Sequence, residues 1–390
     1  MNFQNILILD PICFQPFGHN LAAINRYSEY FASHGVECKA HVSKDFPSTS
    51  IDLLPSNTEF SFSHYYSRTF RPNNKSHFTY QLLDADILEL VEKELSIVIQ
   101  NSSSKKDLAI FFPSIDHYSA RALANLNDKG YLSQTTVFVR WIGVMENCQY
   151  STTRSWPCTA LVKQLNDNRF RHSAESRNYA NLLSEALGEN VIPTPTYVFS
   201  DPLTYPMKPS DEFRIAFPGS AREDKGFLKI KEIVDIFTSN YKDINLKVAV
   251  QMLPPLELSH HFNNVRDLLK FSNVKMYPHS VSQQQLDSYI ADCELIVAPY
   301  SNSIYEYRSS AMMAEAACYE RQIVGTSNCG FSDDILELDL GKCCETAADF
   351  AHAIYNYATM ESSLLKSLGA QGRIKYIEYA HQAYSKYFSL

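Results

Sequence analysis

A lone acidic residue inside an apolar helical segment is the first feature of this 390-residue chain that calls for a chemical explanation. Glu315 sits in AMMAEAACY, which is apolar nearly all round and reads as a helix buried on most faces. A buried carboxylate needs partners, because an unpaired one is costly or takes up a proton. Those partners are either backbone N–H groups with an arginine, or the hydroxyls of a bound ligand. Just upstream, Arg308, Ser309 and Ser310 stand where the helix opens. The orphan N–H groups and macrodipole of a helix N-terminus favour an anion such as phosphate there.

The flanking elements place these residues at a strand end. Glu294 to Ala298 reads as an apolar strand, Pro299 to Arg308 as a polar loop, and Gln322 to Gly325 as a second strand, which makes a βαβ unit. Ligands of such units sit where the strand's carboxyl end meets the helix's amino end. A similar turn, PGSAREDKGF, lies between a strand at Phe213 to Phe217 and a helix at Gly226 to Phe237. If the sheet is parallel, its Arg222 and Lys225 face the same rim as Ser309 and Ser310, and two cations there would neutralise a diphosphate. A surface salt cluster of Arg, Glu, Asp and Lys is the plain alternative. Strands at Ile244 to Val250 and Asn273 to Tyr277, with a helix at Ser282 to Ala291, continue the alternation.

The first half alternates in the same way. Asn5 to Leu9 is a strand, a helical pattern runs from His19 until Gly35, and Val36 to Val42 is the next strand. Gly18 would let the backbone pass close to a ligand at that helix start. The dinucleotide fingerprint G-x-G-x-x-G is absent, which sets a nicotinamide-dependent dehydrogenase aside. Leu82 to Ile99 reads as a helix, and Asp107 to Phe112 as a strand ending in PSIDHYS. Asp116 and His117 then form either an oriented acid/base or a helix cap beside a surface histidine. Thr135 to Arg140 is a strand that brings Arg140 and Glu146 to one edge, and Ala160 to Leu187 reads as one long helical stretch. Residues 61–80 carry Arg68, Arg71 and Lys75 among aromatic rings with no acidic residue. That mixture suits sugar stacking, phosphate or a membrane surface, or else is a solvated loop.

Composition bounds the class. With 45% hydrophobic and 20% charged residues the chain is a folded one, and its length implies two or three domains. Prolines at 193, 195, 202, 206 and 209 deny the backbone helix or central-strand roles and mark a boundary. The net charge of −8 argues against nucleic acid as a partner. Nine cysteines without a C-x-x-C pair read as reduced, buried thiols of a cytoplasmic protein, and no apolar run is long enough to span a membrane. A terminal helix from Glu361 to Phe388 could pack back onto the first domain.

The order of elements, together with LGENVIPTP, GSAREDKG, QQQLDSYIADCELIVAPYS and RSSAMMAEAACYERQIVGT, resembles the GT-B glycosyltransferases, in particular their retaining, family-4-like branch. The resemblance implies an α/β protein of two Rossmann-like domains facing each other across a cleft. They would be an acceptor-binding domain over 1–192, a Pro-rich linker over 193–212, a nucleotide-sugar-binding domain over 213–365, and a C-terminal helix over 366–390 crossing back. It implies transfer of a sugar from a nucleoside-diphosphate sugar, UDP- or GDP-linked, to a glycan or lipid-linked acceptor, with retention and with no divalent metal or cofactor. Carried over by position, Glu315 would bond the ribose, Ser309 and Ser310 would offer N–H groups to the phosphates, Lys225 would hold the diphosphate, and His117 would lie near the donor sugar. The family's first paired glutamate falls on Tyr307 here, with Glu306 one position early, and its arginine falls on Ser220, with Arg222 nearby. Arg222 and Arg308 then read as substitute phosphate contacts. Gly18 joins the donor contacts, and His19, Arg68, Arg71, Lys75 and Glu146 form the acceptor side. If the reaction inverts, His19, Asp116 or Glu146 would serve as base.

Two rival functions use the same residues. One is an epimerase or hydrolase of nucleotide-sugars, and the other a noncatalytic subunit that binds a nucleotide-sugar or glycan. The expected location is cytoplasmic, with transient contact at the inner face of the membrane through residues 61–80.

Overall fold

A computed structural model of the chain describes residues 3–16, 18–63, 85–102, 107–143, 157–196, 211–219, 222–253, 255–279 and 281–389. The chain divides into two compact units, Met1–Ser200 with Ala380–Leu390, and Asp201–Tyr379.

In the first unit the elements run β1 (Asn5–Asp10), α1 (His19–Ser33), β2 (Glu37–Ser43), a 3-10 turn (Ser48–Leu53), β3 (Thr58–Phe62), α2 (Ala85–Ser102), β4 (Leu108–Ile115), α3 (His117–Asp128), β5 (Thr136–Trp141), α4 (Pro157–Gln164), β6 (Phe170–Ala174), α5 (Arg177–Leu187) and β7 (Ile192–Pro193). Among the described residues, the seven strands form one parallel sheet in the order β3-β2-β1-β4-β5-β6-β7. Strand β4, LAIFFPSI, is buried along its whole length, as a strand covered by helices on both faces must be.

The second unit runs β8 (Phe213–Phe217), a 3-10 turn (Glu223–Lys225), α6 (Phe227–Asn240), β9 (Leu246–Gln251), α7 (Pro255–His260), α8 (Phe262–Leu268), β10 (Val274–Tyr277), α9 (Gln283–Ala291), β11 (Leu295–Ala298), α10 (Asn302–Tyr305), α11 (Ala311–Cys318), β12 (Gln322–Thr326), α12 (Ser332–Glu337), β13 (Gly341–Cys344), α13 (Ala347–Ala358) and α14 (Ser362–Phe388). Its described strands pair in parallel in the order β10-β9-β8-β11-β12-β13. Each sheet is doubly wound, so each has a point where the winding reverses, between β1 and β4 in one and between β8 and β11 in the other. Those reversals open crevices at the carboxyl ends of the strands, where such sheets take ligands.

Three expectations are corrected. The stretch Ala160 to Leu187 is not one helix, because β6 and its flanking turns interrupt it. Strand β6, FRHSA, carries polar residues into a sheet interior, and their partners make that tolerable. The Trp141 indole donates to His172 Nδ1 at 3.1 Å, and His172 Nε2 donates to the Leu165 carbonyl at 3.2 Å. Burial holds this imidazole neutral, with its pKa down at about 4. Residues 61–62 of the basic aromatic stretch belong to β3, and the loop Pro299 to Arg308 contains the four-residue helix α10. Cys13, Cys38, Cys293, Cys318, Cys329, Cys343 and Cys344 are free thiols, all buried except the half-buried Cys343.

Helix α14 belongs to both units. Gly369 lets it approach the Glu320 carbonyl so closely that a Cβ would lie 2.0 Å from that oxygen, and Arg373 pairs with Glu320 at 2.8 Å. Its last turns add Tyr384, Tyr387 and Phe388 to the first unit's core beside Tyr27, Phe31 and Phe111. The Tyr384 hydroxyl donates to the Pro195 carbonyl and bonds the Tyr27 hydroxyl, and Tyr387 donates to the Arg171 carbonyl at 3.2 Å. Buried Arg140 donates to the Thr194 hydroxyl at 3.1 Å and to the Pro113 carbonyl at 3.1 Å, so residues 194–195 are tied from two sides. Tyr384→Phe keeps the ring packing and leaves two buried groups short of a partner, which should cost about 1–2 kcal/mol. A urea titration should show a lower midpoint with an unchanged slope, and an unchanged midpoint would contradict this role.

Candidate functional site

The crevice between β8 and β11 is lined by the loops that follow those two strands. After β8 the chain turns at Gly219 (φ 83°), and beyond Arg222 the 3-10 turn Glu223–Lys225 ends on Gly226 in the left-handed region (φ 76°). A Cβ on Gly226 would stand 1.9 Å from the Pro299 carbonyl at the end of β11, so glycine is what allows the two loops to meet. The Ser301 N–H donates to the Asp224 carbonyl at 2.9 Å, and the Gly330 N–H after β12 donates to the Tyr305 carbonyl at 2.7 Å. Three strand-end loops are thereby tied into one frame.

That frame gathers charge. Arg222 donates through Nε and Nη2 to the two carboxylate oxygens of Asp224, each at 2.9 Å. Arg308 Nη1 and the Tyr305 hydroxyl each approach Asp224 Oδ2 at 3.5 Å. The Arg308 guanidinium lies 5.1 Å from the centre of the Tyr305 ring, and Lys225 Nζ 5.9 Å from that of Tyr300. Nζ also sits against Gly219, where a Cβ would come within 2.9 Å of it. Three cations therefore converge around one buried carboxylate. Desolvation, followed by the charges of Arg222 and Arg308, pulls the Lys225 ammonium down to about 8 against the opposing pull of Asp224. Burial and the Asp224 charge push the Tyr305 phenol up to about 12.

Arg308 Nε and the Thr326 hydroxyl at the end of β12 are among the buried polar atoms that have no hydrogen-bond partner in the protein. Groups of this kind are costly to bury unless a ligand or water meets them. Helix α11 opens at Ser310, whose side chain makes no cap, so the first-turn N–H groups are not claimed by it. Ser309, Ser310 and Glu315 are all buried, and Glu315 lies five residues past Ser310, about 7.5 Å along the helix axis. Glu306 and Tyr307 are half-buried on the loop between α10 and α11.

The structure thus brings Arg222, Lys225 and Arg308 together directly, with Ser309, Ser310, Glu306 and Tyr307 on the adjoining segment. Asp224, Tyr300 and Tyr305 complete the cluster and were not singled out from the sequence. Asp224 stood in plain view within AREDK, where its neighbours made it look like part of a surface salt cluster.

The remaining candidates belong to the first unit. Gly18 (φ 90°) caps α1 and His19 is its first residue, both exposed and just after β1. Asp116 is the N-cap of α3, accepting from Tyr118 N at 2.9 Å and Ser119 N at 3.1 Å, so it caps the helix as one alternative held, but the histidine beside it is half-buried and not at the surface. His117 is the first residue of that helix, and desolvation holds it neutral well below the usual histidine range. Asp10, at the end of β1, is a buried carboxyl that accepts from Asn20 Nδ2 at 2.9 Å and Ile12 N at 3.2 Å, and burial raises it to about 7. Arg68, Arg71, Lys75, Glu146 and Ser220 lie outside the described residues.

The whole chain superposes on solved structures of similar architecture. HepE from Anabaena, in complex with UDP and glucose, matches with a TM-score of 0.64 and 14% identity over 100% of both chains. Sucrose-phosphate synthase from Thermosynechococcus elongatus matches with a TM-score of 0.66 and 14% identity over 99% of this chain and 98% of that one. A glycosyltransferase from Rickettsia africae matches with a TM-score of 0.66 and 13% identity, over 100% and 98%. The chain has the GT-B fold. No protein-family model and no curated protein matches the sequence. Within this GT-B fold, the cation cluster lies at the winding reversal of the C-terminal sheet. Among the described residues, no helix is long and apolar enough to cross a membrane.

The depressed Lys225 gives a signed expectation. A bound diphosphate favours the charged ammonium and raises its pKa, so affinity should fall as pH rises through about 8, and binding above that pH should take up a proton. Calorimetry with UDP in buffers of different ionisation heat reads that uptake, and Lys225→Met should abolish it. Affinity that stays flat across this range in the wild type would contradict the placement of Lys225.

Proposed function

We propose that the protein is a glycosyltransferase of the family-4-like GT-B kind, moving a sugar from a nucleoside-diphosphate sugar to a hydroxyl of a glycan, lipid-linked or other acceptor. The observation that carries this reading is the convergence of Arg222, Lys225 and Arg308 around the single carboxylate of Asp224 at a strand-end crevice. An excess of positive charge in a partly desolvated site, beside an uncapped helix N-terminus, is complementary to a diphosphate. The likeness to HepE solved with UDP and glucose supports the same class of donor.

In the proposed reaction the bond from the anomeric carbon to the diphosphate oxygen breaks, its electron pair leaves on the nucleoside diphosphate, the acceptor oxygen bonds to the anomeric carbon, and the acceptor's hydroxyl proton passes to the departing diphosphate oxygen. The barrier falls because charge developing on the leaving diphosphate meets cations and N–H groups already in place. Lys225, Arg308 and Arg222 would take that charge with the N–H groups of Ser309 and Ser310, so the proposal assigns the charge-neutralising role to side chains and not to a divalent metal. Glu315 would bond the ribose hydroxyls, and Tyr307 and Glu306 would flank the donor sugar. No carboxylate is assigned as a glycosyl nucleophile, so retention would proceed by departure and attack on the same face. His19 and the basic aromatic stretch would serve the acceptor.

A thermal-shift panel of UDP, GDP, ADP, dTDP and CMP tests the donor site. At about 100 times its dissociation constant, the cognate nucleotide, expected to be UDP or GDP, should add roughly 2.7 kcal/mol of stability. Glu315→Ala should weaken that shift and Lys225→Ala should remove most of it. No shift with any nucleotide would overturn the reading. A shift without turnover of the matching nucleotide-sugars would instead favour a binding subunit.

A further inference from the structure

The edge by which a guanidinium clasps a phosphate is its Nε and Nη2 pair. In Arg222 both of those atoms are already engaged by Asp224, each at 2.9 Å. The same carboxylate faces Arg308 Nη1 and the Tyr305 hydroxyl at 3.5 Å, so one internal anion is shared by two arginines from the loops on either side of the crevice. Asp224 is buried, and its backbone is pinned because its carbonyl accepts from Ser301 N at 2.9 Å. The nearby acids are less well placed to share this role. Glu223 is mostly exposed and points to His261 at 3.9 Å, and Glu306 is half-buried on the loop beyond α10. A diphosphate entering this cluster therefore meets arginines partly neutralised by a fixed, buried like charge.

We propose that Asp224 is a resident counter-anion of the phosphate site: it holds Arg222 and Arg308 together when no diphosphate is bound, and it competes with the diphosphate for them. It thereby sets how tightly the donor's diphosphate is held, and how readily the nucleoside diphosphate left after transfer departs. This rests on the reading of the cluster as a diphosphate site.

The sign of one affinity change tests it. A merely positioning carboxylate would, when neutralised, free the arginines and weaken anion binding. A competing one would, when neutralised, strengthen it. Inorganic pyrophosphate and UDP are titrated by calorimetry into the full-length wild type and Asp224→Asn. The proposal expects pyrophosphate to bind the variant about tenfold or more tightly. It also expects the free variant to melt below the wild type, with the gap closing when pyrophosphate is saturating. Equal or weaker pyrophosphate binding in Asp224→Asn overturns it. A variant that fails to fold, or that folds only with pyrophosphate present, is replaced by Asp224→Ser, read for the same two outcomes. Pyrophosphate binding with the expected tightening, but no binding of UDP, would leave this inference standing while the nucleotide-sugar reading fails. UDP binding without the tightening would do the reverse.

Discussion

Like charges do not gather in a poorly solvated crevice unless something holds them, and here the pairing of Asp224 with Arg222 and Arg308 does so. The carboxylate is buried, meets one guanidinium side-on through its Nε and Nη2 at 2.9 Å and the other at 3.5 Å, and sits on a turn whose backbone is bonded to the opposite loop. Without it, three cations would repel one another across the winding reversal of the sheet. Even with it, burial and the charges of Arg222 and Arg308 draw the Lys225 ammonium down to about 8, against the opposing pull of Asp224.

The sheet makes this pairing possible. Because β8 and β11 are neighbours whose onward connections run in opposite directions, their two loops flank one crevice and do not lie over different strands. Gly226 then lets the turn after β8 come against Pro299, a distance that any side chain would forbid. Tyr300 and Tyr305, packed with ring centres 4.6 Å apart, supply the aromatic floor on which Lys225 and Arg308 lie. The chain of cause runs from apolar strands, to a doubly wound sheet, to two adjoining loops, to a charge cluster.

Much of this was legible in the sequence wherever burial alone decides structure. The apolar runs of β1, β4, β8 and β11 stood out, as did the isolated acid Glu315. The reading failed where partners decide. FRHSA looks like part of a helix until Trp141 and the Leu165 carbonyl are seen to satisfy His172, and no local pattern records those contacts. Helix α10 was hidden because four residues, NSIY, are too few to carry a periodicity. Asp224 was missed for a related reason: alternating charges in a turn look solvated, and only the approach of the loop after β11, distant in sequence, buries the carboxylate.

The central claim is that the cluster at the β8/β11 crevice receives the diphosphate of a nucleotide. A crystal structure of the protein with UDP tests it most directly. The account predicts phosphate oxygens within about 3 Å of Lys225 Nζ, an Arg308 guanidinium nitrogen and the N–H groups where α11 opens. A diphosphate bound elsewhere on the chain, with this cluster untouched, would contradict it.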